Sequence, residues 1–416
     1  MLMREAKAIE LADRGRAVRD GAGWVVFSLN GPEKYRVTLE PLYCSCPDFE
    51  TRHEDCKHTL ACKIAATRPA NDARTEQKPE TPPVVWPRKT YSQPDWVAYE
   101  AAQVNEKDEF LGLLHDLCSR IEEPARQGRG RRPVPLADAV YAACLKVFTT
   151  LSVRRFMSDL REAHERGFLS QVPHNCHISR TLESDDVTPI LESLIVLSSL
   201  PLKAIETEFA VDATGFSASK FDRWYSEKYG RMQSEHTWVK AHAMTGTTTH
   251  VVTSVVILDK NSADGPQFPS LVKKTARNFT IRQMSGDKAY TSTENFQITE
   301  DVGGVAYLSF KPNTTAGIGG IYERMFHLFS LHKEEYLKKY HRRSNIESVF
   351  SAVKRVYGDS VRSKTPTAMK NEVLAKLVCH NISQLIHLMY ELGIEPNFGD
   401  APADDGPAVL PFRIPG

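Results

Sequence analysis

No stretch of this 416-residue chain stays apolar for the ~18 residues that a membrane span requires. The best candidate, TPILESLIVLSSLPL, is short and carries Glu192. The N-terminal MLMREAKAIELADRGRAVRDG is charged throughout and lacks the apolar centre of a signal peptide. An excess of one charge is missing too: 53 basic residues stand against 52 acidic ones, a net charge of +1. Attraction to a polyanion must therefore come from local patches rather than from the whole chain. Disulfides are not expected in a chain of this size, although it holds 8 cysteines. Cys118, Cys144, Cys176 and Cys379 are scattered through helix-like, mostly apolar segments and read as small buried side chains. There is no internal repeat. What remains is a chain with an ordinary 41% hydrophobic content, long enough for two or three domains, and expected in the cytoplasm.

The pattern along the chain divides it into five parts. Residues 1–67 contain two alternating runs, WVVFSL and YRVTLE, joined by the turn signal NGPEK, and these predict a hairpin. Residues 68–95 are Pro-rich and polar, a linker composition. Residues 96–204 read as helical, broken at GRGRRPVP. The basic run there, Arg126, Arg129, Arg131 and Arg132, has no acid within it; it suits an extended arm along DNA and equally a solvated linker. SVRRFMSDLREA followed by ISRTLES suggests a helix-turn-helix. Residues 205–392 show strands around 208–214 and across 237–258, then alternating helix and strand, then helices from Ile321 to about Leu392. That order predicts an α/β domain with a mixed sheet. Residues 393–416 have the composition of a disordered tail.

Two constellations carry chemistry. The first is LYCSCPDFETRHEDCKHTLACK, in which Cys44, Cys46, Cys56 and His58 offer four soft or borderline ligands, the set that tetrahedral Zn²⁺ takes. Ala61, Ile64 and Ala65 would give the following helix an apolar face, and His53 and Cys62 stand near enough to replace a ligand. The second is acidic. Asp212 and Asp287 each end a strand-like run, FAVDATGF and IRQMSGDKAY. Glu347 lies in YHRRSNIESVFSAVKRVYG, which reads as one helix with Tyr340, Arg343, Glu347 and Lys354 inside an arc of roughly 60°. Ile346, Val349, Phe350, Val353 and Val356 form the neighbouring apolar stripe. A carboxylate flanked by two cations and a phenol is chemistry for phosphate. Among the competing acids, Asp264 before Gly265 and Pro266 reads as a turn, and Glu294 reads as one half of a capping box with Thr291.

The acidic set resembles the DDE transposases of bacterial insertion sequences, the kind whose third acidic residue lies in a Y-R-E-K signature. The cysteine–histidine set is similar to the SWIM zinc finger. The first resemblance implies a ribonuclease-H-like mixed-sheet core flanked by helices, with Asp212, Asp287 and Glu347 holding two Mg²⁺ ions. It implies cleavage of element ends and joining of their 3′ hydroxyls to target DNA, a homodimer assembled on double-stranded DNA, and a nucleoid-associated protein with no membrane partner. Tyr340, Arg343 and Lys354 would then meet DNA, as would Arg129, Arg131 and Arg132 of the basic arm. The second implies one structural Zn²⁺ on Cys44, Cys46, Cys56 and His58, in a small module that binds DNA or protein. Two other functions remain: a structure-selective nuclease of the same fold that uses the same carboxylates, and a domesticated DNA-binding protein without catalysis that relies on the zinc module and the basic arm.

Overall fold

The computed structural model describes residues 3–28, 33–67, 95–124, 133–218, 238–259, 261–311, 314, 317 and 319–398. The linker from 68 to 94, the arm with Arg126, Arg129, Arg131 and Arg132, and the tail from 399 onward lie outside the described residues. Two compact units emerge, Met1–Tyr91 and Ser92–Gly416.

In the first unit, helix α1 (Met3–Asp13) precedes four antiparallel strands in sequential order, β1 (Ala17–Asp20), β2 (Gly23–Phe27), β3 (Lys34–Leu39) and β4 (Leu42–Cys44). The expected hairpin is β2–β3, with Trp24 opposite Val37 and Val26 opposite Tyr35. Short β1 and β4, which carry little alternation, widen it into a sheet. Strand alternation sends Val26 and Val37 inward, onto Ala8 and Leu11 of α1 and onto helix α3 (Lys57–Thr67). A short helix, α2 (Pro47–Arg52), fills the connection before α3.

The second unit opens with five helices: α4 (Trp96–Cys118), α5 (Leu136–Thr149), α6 (Val153–Glu165), α7 (Asn175–Glu183) and α8 (Val187–Ser199). Residues 166–174 separate α6 from α7, far more than the about three to four residues of a helix-turn-helix, so that expectation is not met. The sheet follows. Its strands are β5 (Glu208–Ser217), β6 (Trp238–Gly246), β7 (Val252–Asp259), β8 (Gln283–Gly286) and β9 (Val305–Leu308), in the spatial order β7-β6-β5-β8-β9. β5, β6 and β7 are antiparallel neighbours, whereas β8 and β9 run parallel to β5. Helices α9 (Phe268–Ala276) and α10 (Thr293–Asp301) supply the crossovers that parallel pairing demands. After β9 come α11 (Gly320–Leu331), α12 (Lys333–Tyr340), a 3₁₀ turn (His341–Arg343), α13 (Ser344–Tyr357) and α14 (Pro366–Leu392).

Both faces of the sheet are covered, which explains strands apolar on both sides. Phe209 and Val211 of β5 join Phe268, Leu271 and Val272 of α9 in one core. Ala210 and Phe216 join Ile346 and Val353 of α13, Val378 and Ile382 of α14, and Leu191 of α8 in the other. Helix α14 is buried for most of its length, so it is apolar on nearly every side. It starts at Thr365, whose side chain caps Ala368 N–H, and stops at Gly393 in the left-handed region, φ 66°.

Several local expectations need correction. β5 runs on to Ser217, so Asp212 lies inside the strand rather than at its end. Tyr340 to Lys354 is not one α-helix: the 3₁₀ turn at His341–Arg343 changes the angular step, and the arc reckoned from Tyr340 does not apply. Val356 is 52% exposed, and Tyr357 takes the place expected for it in the core. Cys176 is exposed, while Cys118, Cys144 and Cys379 are buried as expected. Ser292, not Thr291, caps α10, accepting from Asn295 N–H; the Thr291 hydroxyl donates to Ser309 O.

Candidate active site and zinc centre

Parallel pairing sets the acidic site. Val211 stands opposite Gly286, so one residue later Asp212 continues β5 while Asp287 follows just past the end of β8. This is the carboxyl end of the parallel part of the sheet, where open α/β sheets bind ligands. The approach needs Gly286: a Cβ there would fall 2.8 Å from Val211 Cγ1 and 3.0 Å from Leu308 Cδ2. Beyond Gly286, β8 stops while β5 continues. Further along the same strand, Ser217 pairs with Ser360 of the segment between α13 and α14. That segment is held by α14, where Glu372 accepts from Arg362 and Ser363 N–H and Lys376 Nζ donates to Gly358 O and Ser360 O. The 3₁₀ turn packs against β5 and β8.

Arg343, on that turn, joins two of the acids. Its Nη1 lies 2.8 Å from Asp212 Oδ2 and its Nη2 lies 2.6 Å from Glu347 Oε1. Arg342 beside it pairs with Glu208. Asp212 also accepts from Ala213 N–H at 2.8 Å. Its carboxyl is pushed above the ordinary Asp value, by burial first; the Ala213 N–H and Arg343 pull the other way, and the charges of Asp287 and Glu347 push up again. The three carboxylates thus share one field. Asp212 and Asp287 are half-buried, and Glu347 is exposed. Hard oxygen donors, with Asp212 and Glu347 sharing one arginine and Asp287 following the strand beside Asp212, fit a divalent metal such as Mg²⁺. The arginine occupies that electrostatic role here.

The other signature residues are less central. Lys354 Nζ sits 5.5 Å over the Phe216 ring, opposite no acid of the set, and burial pushes its pKa down. Lys376 Nζ is 5.3 Å from the same ring. Tyr340 packs at the edge of the core that holds Phe310 and Tyr336.

The cysteine–histidine centre is built differently. Cys44 ends β4, Cys46 caps α2 by accepting from Phe49 N–H, and Cys56 and His58 open α3. Their ligand atoms lie within 4.8 Å of one another and all four residues are buried. His58 Nδ1 is 3.8 Å from Cys44 Sγ and 3.9 Å from Cys56 Sγ, and Tyr35 stacks on its ring at 4.4 Å. Such spacings suit a tetrahedron of about 2.3 Å Zn–S bonds. The Cys56 thiol is held well down, chiefly by its hydrogen bond with Cys44, whose own thiol that bond pushes up. Cys62 is buried in the same core but outside the group, as is the exposed His53. Among the described residues this is the one group of three or more such side chains gathered to metal-binding distance.

Sequence reasoning read Asp264 as a turn residue. It does open the 3₁₀ turn Gly265–Gln267, yet its carboxylate also pairs with Lys240 and faces His242 Nδ1 at 3.4 Å. The available signal was the alternation Lys240-x-His242, which puts both side chains on one face of a strand.

Fold and site together define an α/β protein with a ribonuclease-H-like mixed sheet, an acidic site at its carboxyl end and a separate cysteine–histidine centre. Residues 203–382 match the family model of the transposase DDE domain, and residues 35–66 match that of the SWIM zinc finger. The chain carries a transposase DDE domain with a SWIM zinc finger ahead of it in sequence. A comparison with curated proteins finds no match. Among the described residues, no single helix is long and apolar enough to cross a membrane.

Proposed function

We propose that this protein is a DNA transposase that cleaves the ends of its element and joins the freed 3′ hydroxyls to target DNA. Asp212, Asp287 and Glu347 would hold two Mg²⁺ ions. The observation that carries this reading is the adjacency of Asp212, inside β5, and Asp287, just past the end of the parallel neighbour β8, with Glu347 tied to Asp212 through Arg343. Bound there, such ions neutralise charge on the transferring phosphoryl group and lower the pKa of an attacking oxygen's proton. The chain's own part is placement. β5 would fix Asp212, the end of β8 would fix Asp287, and α13 would bring Glu347 to them. Arg343 presents a planar fork that matches a phosphodiester as well as a carboxylate. Tyr340 and Lys354 would meet DNA beside it, and Arg129, Arg131 and Arg132 would follow the backbone elsewhere. Local cations on a chain of net charge +1 give a focused contact rather than a general polyanion affinity.

The zinc module, which we place at residues 1–67, would hold one structural Zn²⁺ on Cys44, Cys46, Cys56 and His58, since four ligands leave no open position. Two DNA ends must be handled together, which favours a homodimer on DNA. The test is excision and rejoining of a marker flanked by the gene's neighbouring DNA, in wild type and in Asp212→Asn, Asp287→Asn and Glu347→Gln. Loss of movement in all three with DNA binding kept is the expected result. Cleavage without joining would establish a nuclease instead. Tight binding without movement even in wild type would establish a domesticated binder.

A further inference from the structure

Tyr290 is 1% exposed and its hydroxyl has no hydrogen-bond partner. A buried phenol without a partner forfeits about 1–3 kcal/mol, so its retention calls for a reason beyond packing. The ring packs against Phe268 of α9, which phenylalanine would do as well. The Tyr290 side chain lies against the end of β8 that leads to Asp287: a Cβ on Gly286 would fall 3.4 Å from its Cδ2. The pKa of the phenol is pushed far up, by burial first and then by the charges of Asp264, Asp212 and Asp287.

Asp264 belongs to a fixed group behind the acidic site. Lys240 pairs with its carboxylate and donates to Ser262 O at 3.0 Å. His242, 0% exposed, presents Nδ1 to Asp264 at 3.4 Å and Nε2 to the Ser262 hydroxyl at 3.2 Å. Both Lys240 and His242 project from β6, a central strand, so the group is anchored to the sheet. The chain then passes to Gly265, where a Cβ would lie 3.2 Å from Ala289 O. Asn295 Nδ2 bridges Gly265 O at 3.4 Å and Tyr290 O at 2.7 Å. Ala289 and Tyr290 belong to the 3₁₀ turn that begins directly after Asp287. An unbroken path of contacts therefore runs from β6 through Asp264 and Gly265 to the turn that carries Asp287.

We propose that Tyr290 and Asp264, the latter held by Lys240 and His242, are positioning residues that set the affinity of the Asp212–Asp287 pair for its divalent metal. Neither is a ligand. The Tyr290 hydroxyl is the donor held ready for a carboxylate oxygen of the pair, and Asp264 fixes the turn from which Asp287 projects. Partners of this kind, one layer behind the ligands, change metal affinity by about 10–100-fold when removed. The inference rests on the reading that Asp212 and Asp287 hold a metal.

The experiment is a Mn²⁺ titration of the melting temperature and of the free Mn²⁺ signal by electron paramagnetic resonance. It compares wild type with Tyr290→Phe, Asp264→Asn, Asp212→Asn and Glu206→Gln, the last at a buried carboxylate preceding β5. Tyr290→Phe should melt no lower than wild type without metal, because it deletes an unpaired buried hydroxyl, yet need about 10–100-fold more Mn²⁺ for half-saturation. Asp264→Asn should shift half-saturation the same way. Glu206→Gln should melt lower with unchanged half-saturation. Equal half-saturation in wild type and Tyr290→Phe would overturn the inference while leaving the metal reading intact. A wild type with no Mn²⁺ response that Asp212→Asn removes would overturn both.

Discussion

Glu206 and Asp212 lie on the same stretch of chain, and the protein treats their carboxylates in opposite ways. Glu206 is 0% exposed and satisfied: its oxygens accept from Thr248 N–H at 3.0 Å, Thr249 N–H at 2.8 Å, the Thr249 hydroxyl at 2.9 Å and Glu208 N–H at 3.1 Å. The turn between β6 and β7 is folded around it so closely that a Cβ on Gly246 would fall 2.2 Å from Glu206 Oε2. Asp212 accepts from one backbone N–H and leans on one arginine. Burial raises the pKa of both, so burial alone does not separate them. Unspent acceptor capacity does. A carboxylate with every lone pair occupied is part of the framework, and one with lone pairs to spare is available to a ligand.

The sharpest break in the comparison is in activity. Asp212→Asn or Glu347→Gln should lower DNA cleavage by on the order of 10³-fold or more, since several kcal/mol of charge stabilisation at phosphorus is removed. Cleavage of labelled element ends by the purified variants measures this. Glu206→Gln should leave the rate per folded molecule unchanged. Comparable losses in both would mean that the two carboxylates are not distinct.

Stability should divide them the other way. Glu206→Ala strands the buried Thr249 N–H and hydroxyl and should cost about 3 kcal/mol, read as a lower urea midpoint at unchanged slope. A neutral result would mean that the turn finds other partners.

The Glu206 end also carries an acid sensor. His380 is buried, its Nε2–H donates to His250 O at 3.0 Å, and it is held down to about 4 from 6.5, by burial first. A histidine with a depressed folded pKa contributes stability that is present above the unfolded value and lost as pH falls through the window between 6.5 and about 4. The loss attributable to this group is on the order of 3 kcal/mol. His380→Gln should flatten the fall in melting temperature between those pH values, and a parallel fall in both proteins would sink the assignment.

How much of this was legible beforehand follows the same division. The strand patterns and the mixed sheet could be read because apolar periodicity and local turns are encoded by neighbours in sequence, whereas the run of β5 past Asp212 could not. The zinc group could be read because its four residues fall within one short segment and tetrahedral zinc restricts what they can be. Arg343 as a partner of Glu347 followed from i,i+4 spacing, but its bridge to Asp212 depends on how α13 crosses the sheet. Asp264 illustrates the limit most clearly. Its neighbours Gly265 and Pro266 predicted the turn correctly, while Lys240 and His242, which give the carboxylate its second role, come from a distant strand. The 3₁₀ turn at His341–Arg343 was hidden as well, because a helix that tightens for three residues keeps the composition of one that does not.

The smallest expected effect tests the comparison most directly. In metal-free protein the raised pKa of Asp212 means that the folded state prefers its protonated form. A carboxyl raised in this way contributes stability that is present below the unfolded pKa and lost as pH rises through the folded one. Asparagine keeps the shape and never ionises. Asp212→Asn should therefore gain on wild type in melting temperature as pH climbs from the acidic side to neutrality, with the gain cancelled when Mn²⁺ binds the wild type. The attraction of Arg343 opposes this, so the sign is informative and the magnitude will be modest. If the variant instead loses ground as pH rises, the arginine pair outweighs burial and Asp212 is held as firmly as Glu206. The difference between the two carboxylates would then lie in exposure alone.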